Sequence, residues 1–362
     1  MPEHSNPADH FIQTLAILPG EQERCKKQCN EICDMFSKHA LAARMNADIS
    51  NFSAIFPLRT FPRAPWLILA SSLFLRYFKD NTRRRSVLRA KFIQKVFMGL
   101  FIGLLYLQTE TDQIGVRNTF GVLFYFCSEL TYSTIFGIQS YMPGDFPLVA
   151  REYNDGVYPV SAYYTAKVAS YVFLYSLDGM VMVVLSYFLI GLYASADRFL
   201  LTILAALLIE LCAASVGVAI CSAAPSYAIA VSVTGPLLTV LSVTGGLMSA
   251  VDELPSWISW IQYASWFRYG YEALIINHMT APRYDSIPCD PGNNQTCIRR
   301  GQDVCSLPFS PSQLFPLLAQ VIDTLSFSTH NFVGNQVIMF LYTCCVYCLG
   351  YGALVFRVIR SR

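Results

Sequence analysis

The sequence predicts an all-α integral membrane protein with six transmembrane helices. Two observations lead there. Six apolar stretches carry the chain from about Lys95 to Phe356, among them YVFLYSLDGMVMVVLSYFLIGL and FLLTILAALLIELCAASVGVAI. A helix needs about 20 mostly apolar residues to cross the hydrocarbon of a bilayer, and it satisfies its backbone hydrogen bonds internally there. Composition agrees: hydrophobic residues make up 54% and charged residues 14%, against roughly 25% charged in soluble domains. The function is therefore one performed in or across a membrane.

The expected elements, in order, begin with a polar segment. The first 85 residues hold 12 of the 26 Lys and Arg and no apolar run behind a basic stretch, so a cleavable signal peptide is not expected. Cys25, Cys29 and Cys33 share one face of a predicted helix. No His or further Cys pair completes a zinc site, so no metal is expected. Pro65–Lys79, PWLILASSLFLRYFK, is apolar but too short to span and reads as an amphipathic helix on the membrane surface. The six spans are expected near Ser86–Leu107, Val116–Tyr141, Tyr163–Leu192, Phe199–Cys221, Ala228–Ala250 and Val333–Phe356. The third exceeds what a bilayer requires and should tilt or protrude.

Charge sets the orientation. Arg76, Lys79, Arg83, Arg84, Arg85, Arg89 and Lys91 precede or open the first span, and Arg357, Arg360 and Arg362 follow the last. Both ends are expected in the cytoplasm by the positive-inside bias, which an even number of spans allows. The loop 251–332, with seven acidic and four basic residues, then lies outside. It carries the N-glycosylation acceptor Asn294-Gln295-Thr296 and three cysteines, Cys289, Cys297 and Cys305. On the outer side such cysteines can form disulfides, and their odd number leaves one for a partner chain or a free thiol. A second acceptor at Asn51 falls on the cytoplasmic side, so Asn294 is expected to carry the only N-glycan. Within the loop, WISWIQYASWFRYGYEALIINHM holds three of the four tryptophans and reads as a re-entrant helix at the outer interface. Arg268 and Glu272, four residues apart, can pair on one of its faces.

Charges inside the spans need partners or water. Glu129, Asp178 and Glu210 fall in the second, third and fourth spans, and Asp178 and Glu210 are expected to pair structurally with Arg or Tyr. Lys91 and Lys95 are expected to snorkel from the inner end of the first span. Gly144–Ser161, charged and broken by Pro147, Gly156 and Pro159, reads as a docking loop for a cytoplasmic partner.

Several motifs now combine. Asn6-Pro7-Ala8-Asp9-His10-Phe11, then Phe146-Pro147-Leu148-Val149-Ala150-Arg151-Glu152, then Leu254-Pro255 with Trp257, Trp260 and Tyr263, then Phe267-Arg268-Tyr269-Gly270-Tyr271-Glu272 occur in that order over nearly the whole chain. In order and spacing the chain resembles the membrane half of a White/ABCG half-transporter, subfamily G of the ATP-binding-cassette transporters. The resemblance implies an ABC-2, type V exporter-like membrane domain. It divides the chain into a cytoplasmic linker at 1–62, an amphipathic connecting helix at 63–82 and the transmembrane domain at 83–362.

It further implies an ATP-driven translocase of small amphipathic, lipid-like or pigment-precursor molecules, in a plasma or vesicle membrane, working as a homo- or heterodimer surrounded by membrane lipid. No nucleic-acid partner is implied. Phe124, Ser128, Glu129 and Tyr132 of the second span and Leu237, Leu238 and Leu241 of the fifth would line the central cavity, with Leu247 as an apolar plug. Arg151 and Glu152 would couple to the nucleotide-binding domain. Two of the outer cysteines would bridge within the chain, and Cys297 would crosslink two subunits. The chain departs from the pattern in one respect: no GxxxxGK[ST] phosphate loop occurs in it. ATP and Mg are expected on a separate nucleotide-binding domain, and this chain alone is not expected to be an enzyme. The alternative is a truncated subunit that regulates full-length half-transporters by dimerising with them. A channel or secondary carrier is disfavoured by the lack of an inverted repeat.

Overall fold

A computed structural model describes residues 15–16, 22–55, 64–109, 113–245, 257–280 and 331–360. Every regular element among them is helical. The chain divides into two units, Met1–Arg63 and Ala64–Arg362. The first holds α1 (Gln22–Ser37) and α2 (Ala40–Ile55). Cys25, Cys29 and Cys33 all lie on α1 as free thiols.

The second unit opens with α3 (Trp66–Arg83), whose Pro65 sits just ahead of the first turn. Leu73 and Tyr77, four residues apart on one face, are buried, while Leu67, Ile68 and Leu75 are exposed. The apolar residues of α3 thus extend beyond what the bundle covers. Then come α4 (Arg85–Leu105), α5 (Gln113–Gln139), the short α6 (Met142–Asn154), α7 (Val160–Ile190), α8 (Ala196–Ala223), α9 (Tyr227–Val243), α10 (Ile261–Ala264), α11 (Trp266–Met279) and α12 (Asn331–Arg360). Four of these, over 115–139, 160–190, 196–223 and 331–360, are long and apolar enough to cross a membrane. α4 carries Arg85, Arg89, Lys91 and Lys95 within its length, and α9 has only 17 residues. α7 stops where Gly191 adopts φ +74 and returns its N–H to the carbonyl of Tyr187, the left-handed cap that glycine allows.

Hydrogen bonds at the helix ends fix the arrangement. At one end the backbone N–H groups of Gln108 and Thr109, after α4, donate to Leu189 and Ile190 at the close of α7. There too Arg198, opening α8, donates to the carbonyl of Thr280 beyond α11 at 2.8 Å. At the other end Arg357, closing α12, donates to Cys221, Ala224 and Pro225 at 3.3, 2.7 and 3.3 Å, between α8 and α9. Its guanidinium also covers the Phe146 ring of α6 at 3.6 Å. α8 is the central post, in contact with α5, α7, α11 and α12, while α4 leans on α7.

α11 is the unexpected core element. Twelve of its fourteen residues are buried. Trp266 donates to Thr131 of α5 at 3.2 Å, deep in the bundle, and Asn277 donates to the carbonyl of Arg198 at 2.8 Å at the α8 N-terminus. A helix of this length spans about 21 Å, and its two ends bond to Thr131 of α5 and to the start of α8. Gly270 permits its approach to α8: a Cβ there would meet Ile209 Cγ1 at 2.6 Å. Arg268 and Glu272 find different partners, the Tyr263 ring at 5.0 Å and Asn331 at 3.2 Å.

Candidate functional site

α5 is buried on one side and half-buried on the other. Its half-buried positions recur as Phe124, Tyr125, Ser128, Glu129, Tyr132, Ser133, Phe136 and Gly137, a stripe at the spacing of one helix face. All four residues expected from this helix, Phe124, Ser128, Glu129 and Tyr132, fall on that stripe. The rings of Tyr132 and Phe136 stack along it at 6.3 Å, and Phe124 meets Tyr271 of α11 edge-on at 5.5 Å. The α9 positions divide. Leu237 is exposed, with Val233 and Val240 on the same face, whereas Leu238 and Leu241 are buried among the core residues. Leu247, Cys289, Asn294, Cys297 and Cys305 lie outside the described residues.

Between α4 and α5, backed by α7, the bundle leaves a cavity of about 600 Å³. Glu129 and Tyr132 belong to its wall, together with Lys91 and Gln94 of α4 and Asp178 of α7. Ionisable side chains concentrate here. Lys95 is 1% exposed and faces Glu129 at 3.7 Å. It does not snorkel, because a buried carboxylate on the next helix holds it. Lys91 rests on the Tyr175 ring at 3.8 Å, a contact stronger when water is excluded. The space for both groups is left by Gly137: a Cβ there would stand 2.8 Å from Lys91 Nζ and 2.7 Å from Tyr175 Oη. Glu210 of α8 is buried against Gly179, whose missing side chain leaves room for its carboxylate. Among the described residues neither Asp178 nor Glu210 has an ion-pair partner within 4.0 Å or a tyrosine hydrogen bond, so the expected pairing with Arg or Tyr does not form. The sequence reading missed Lys91, Gln94 and Tyr175 as parts of this site, because their partners are on other helices.

At the α6 end of the bundle a second cluster joins three elements. Arg76 of α3 and Glu152 of α6 pair at 3.0 Å, and Tyr158 donates to Glu152 at 2.5 Å. Lys167 of α7 pairs with Asp145 of α6 at 2.5 Å and lies 4.4 Å from the centre of the Tyr77 ring. Burial pushes the Tyr77 hydroxyl up to about 12, and burial with the Glu152 hydrogen bond raises that of Tyr158 further. Burial acts to lower Arg76, but its bond to Glu152 and the carboxylate charge outweigh this and leave it raised. Both phenols thus stay protonated, and Arg76 stays charged. Glu152 turns inward to these partners, while its neighbour Arg151 is exposed.

A family profile matches the segment that runs from within α3 to the end of α11. The profile described as ABC-2 type transporter covers residues 69–279. This chain belongs to the ABC-2 type transporter family. Its relatives lie in the White/ABCG group. The ATP-binding protein/permease wht-3 of Caenorhabditis elegans is 32% identical over 289 residues, covering 79% of this chain and 47% of the relative. Protein white of Drosophila melanogaster is 27% identical over 320 residues, covering 86% and 46%. The broad substrate specificity ATP-binding cassette transporter ABCG2 of Bos taurus is 27% identical over 367 residues, covering 93% and 54%. The chain spans about half the length of the curated relatives it matches.

The part it covers is the ABC-2 membrane domain. The sequence has no phosphate-loop motif, and among the described residues no group of three His, Cys, Asp or Glu gathers to hold a metal ion. What this ABC-2 domain offers is a helix face, a charged cavity and a clasp at the α6 end.

Proposed function

We propose that this ABC-2 domain is the membrane-spanning half of an ATP-driven transporter for small amphipathic molecules. Two copies, or this chain and a related one, face each other across a two-fold axis. Six helices span: the four long apolar ones, with α4 and α9. α11 enters from the outer side and returns to it. The clustering of Arg and Lys at the start of α4 and the end of α12 supports a cytoplasmic location for the α6 end, with Asn294 glycosylated and the outer cysteines oxidised on the far side.

The observation that carries the transport reading is the α5 stripe. Phe124, Ser128, Glu129 and Tyr132 lie on the one face that packing within the chain leaves half open, and their mixed aromatic and polar chemistry suits an amphipathic ligand. Leu237 on the exposed face of α9 supplies the facing apolar wall, with Leu238 and Leu241 bracing it from behind. Arg151, exposed on α6, is the contact to the nucleotide-binding domain, and Glu152 holds α6 on α3 so that movement passes between them.

The test is ATPase stimulation. The full-length gene product, purified with its partner in lipid nanodiscs, should hydrolyse ATP faster when an amphipathic substrate is present. Phe124→Ala combined with Tyr132→Ala should reduce that stimulation at least fivefold while leaving basal hydrolysis unchanged. Stimulation equal to the parent in the double variant would overturn the assignment of this face.

A further inference from the structure

Two lysines, Lys91 and Lys95, and three carboxyl groups, Glu129, Asp178 and Glu210, gather around the α4–α5 cavity. Both cations are committed. Lys95 is buried against Glu129 at 3.7 Å, and Lys91 is held on the Tyr175 ring at 3.8 Å beside Gly137. Asp178 is left on the cavity wall with no hydrogen bond and no ion pair within 4.0 Å among the described residues. A carboxyl group at membrane depth without a hydrogen bond or close ion pair faces a wet cavity or a ligand. The cavity itself measures about 600 Å³, within the range of small-molecule sites. Its remaining wall is aromatic, from Tyr132 and Phe136, and hydroxylated, from Ser133 and Ser140.

We propose that this cavity binds an amphipathic organic cation with a single ammonium group. The ammonium sits against the Asp178 carboxylate, and the apolar body lies along the Tyr132 and Phe136 rings. The ammonium gives Asp178 the close ionic partner that the chain itself does not place within 4.0 Å. Lys91 sets the polarity of the entrance: it repels a second charge, so a monocation is preferred to a dication. The site is complete within one chain and needs neither a second copy nor nucleotide. It therefore goes beyond the two-fold-axis reading, and its binding is measured separately from transport.

The experiment is equilibrium binding to the full-length gene product in phosphatidylcholine nanodiscs without nucleotide, with empty nanodiscs as the blank. Tritiated 4-phenylbutylamine is the probe; 4-phenylbutan-1-ol and 4-phenylbutyrate compete as neutral and anionic isosteres. The amine should bind saturably and at least tenfold more tightly than the alcohol, and the acid should not compete. Asp178→Asn should abolish the preference for amine over alcohol. Lys91→Met, which removes a like charge, should strengthen amine binding. Ser133→Trp, which fills the cavity and leaves every charge in place, should remove binding while the protein elutes as a single peak. Three results would overturn the proposal: equal affinity for amine and alcohol, amine binding unchanged in Asp178→Asn, or tighter binding of the acid, which would make Lys91 the anchor of an anion site. An absence of saturable amine binding to the folded protein would also overturn it, leaving a proton to neutralise Asp178. ATPase stimulation enters none of these readings, so failure here leaves the transport reading standing.

Discussion

Glu152 shows how one side chain joins two elements. Its carboxylate takes the Arg76 guanidinium at 3.0 Å and the Tyr158 hydroxyl at 2.5 Å. The Arg76 side chain is 45% exposed and that of Glu152 only 20%. Screening at the exposed partner limits Arg76→Ala to about 1 kcal/mol. Glu152→Ala costs more, about 1–3 kcal/mol, because it also strands a half-buried phenol. Glu152→Gln should recover part of this by keeping an acceptor for Tyr158. In thermal unfolding of the full-length protein the expected order of melting temperatures is parent, then Arg76→Ala and Glu152→Gln, then Glu152→Ala. The Ala variant should in addition hydrolyse ATP without responding to substrate, because α6 is no longer tied to α3. Melting and substrate response both equal to the parent would remove Glu152 from the clasp. The inward turn of Glu152 was not legible in the sequence. Arg151 and Glu152 are neighbours on a helix and differ by about 100° in direction, and nothing local decides which of them faces the bundle.

At the scale of elements, helix–helix distance is set by small residues at the crossing points. α12 meets α8 at Gly350, where a Cβ would stand 2.7 Å from the Tyr164 hydroxyl and 3.0 Å from the Ala219 Cα. The latter is backbone and cannot move aside alone. Gly352, two residues on, faces open space. The two glycines therefore give opposite expectations. Gly350→Ala should lower the yield of monodisperse protein after detergent extraction and lower its melting temperature, by the 1–3 kcal/mol typical of overpacking. Gly352→Ala should be neutral or stabilising by up to about 1 kcal/mol, the helix-propensity difference. Destabilisation by both alike would mean that α12 is sensitive to any added methyl and that the Gly350 contact is not special. Helix positions were largely legible, because the length and apolarity of each run are properties of consecutive residues. Phe124, Ser128, Glu129 and Tyr132 of the α5 stripe were reached through the family resemblance and not through their spacing. The burial of Lys95 was not legible: its partner Glu129 is 34 positions away on another helix, and sequence spacing carries no sign of that. Nor was the depth of α11, which reads as an interfacial segment from its tryptophans, although Trp266 is buried to 1% with its indole N–H on Thr131.

For the whole molecule, the proposed two-fold assembly can be tested on the surfaces left open by the chain's own packing. α9 exposes Tyr227, Ile229, Val233, Leu237, Val240 and Val243. These apolar positions suit lipid equally well, since hydrocarbon tails are as apolar as leucine and give no hydrophobic drive between helices. Burial alone therefore does not separate a lipid-facing α9 from one at a two-fold axis; proximity to its own symmetry mate does. In an isologous dimer a residue near the axis meets its own copy. A cysteine there can bridge to itself if the two Cα atoms come within about 7 Å. Leu237→Cys tests this in a background with Cys344, Cys345 and Cys348, which are exposed on α12, replaced by serine. Mild oxidation in native membranes should convert Leu237→Cys into a reducible band of twice the monomer mass. Leu349→Cys, exposed to 72% on α12, should give none, because α12 lies on the far side of α8 from α5 and its stripe. Crosslinking from α12 with none from α9 would place the dimer on the opposite face, and the α5 stripe would then look into lipid instead of a shared cavity.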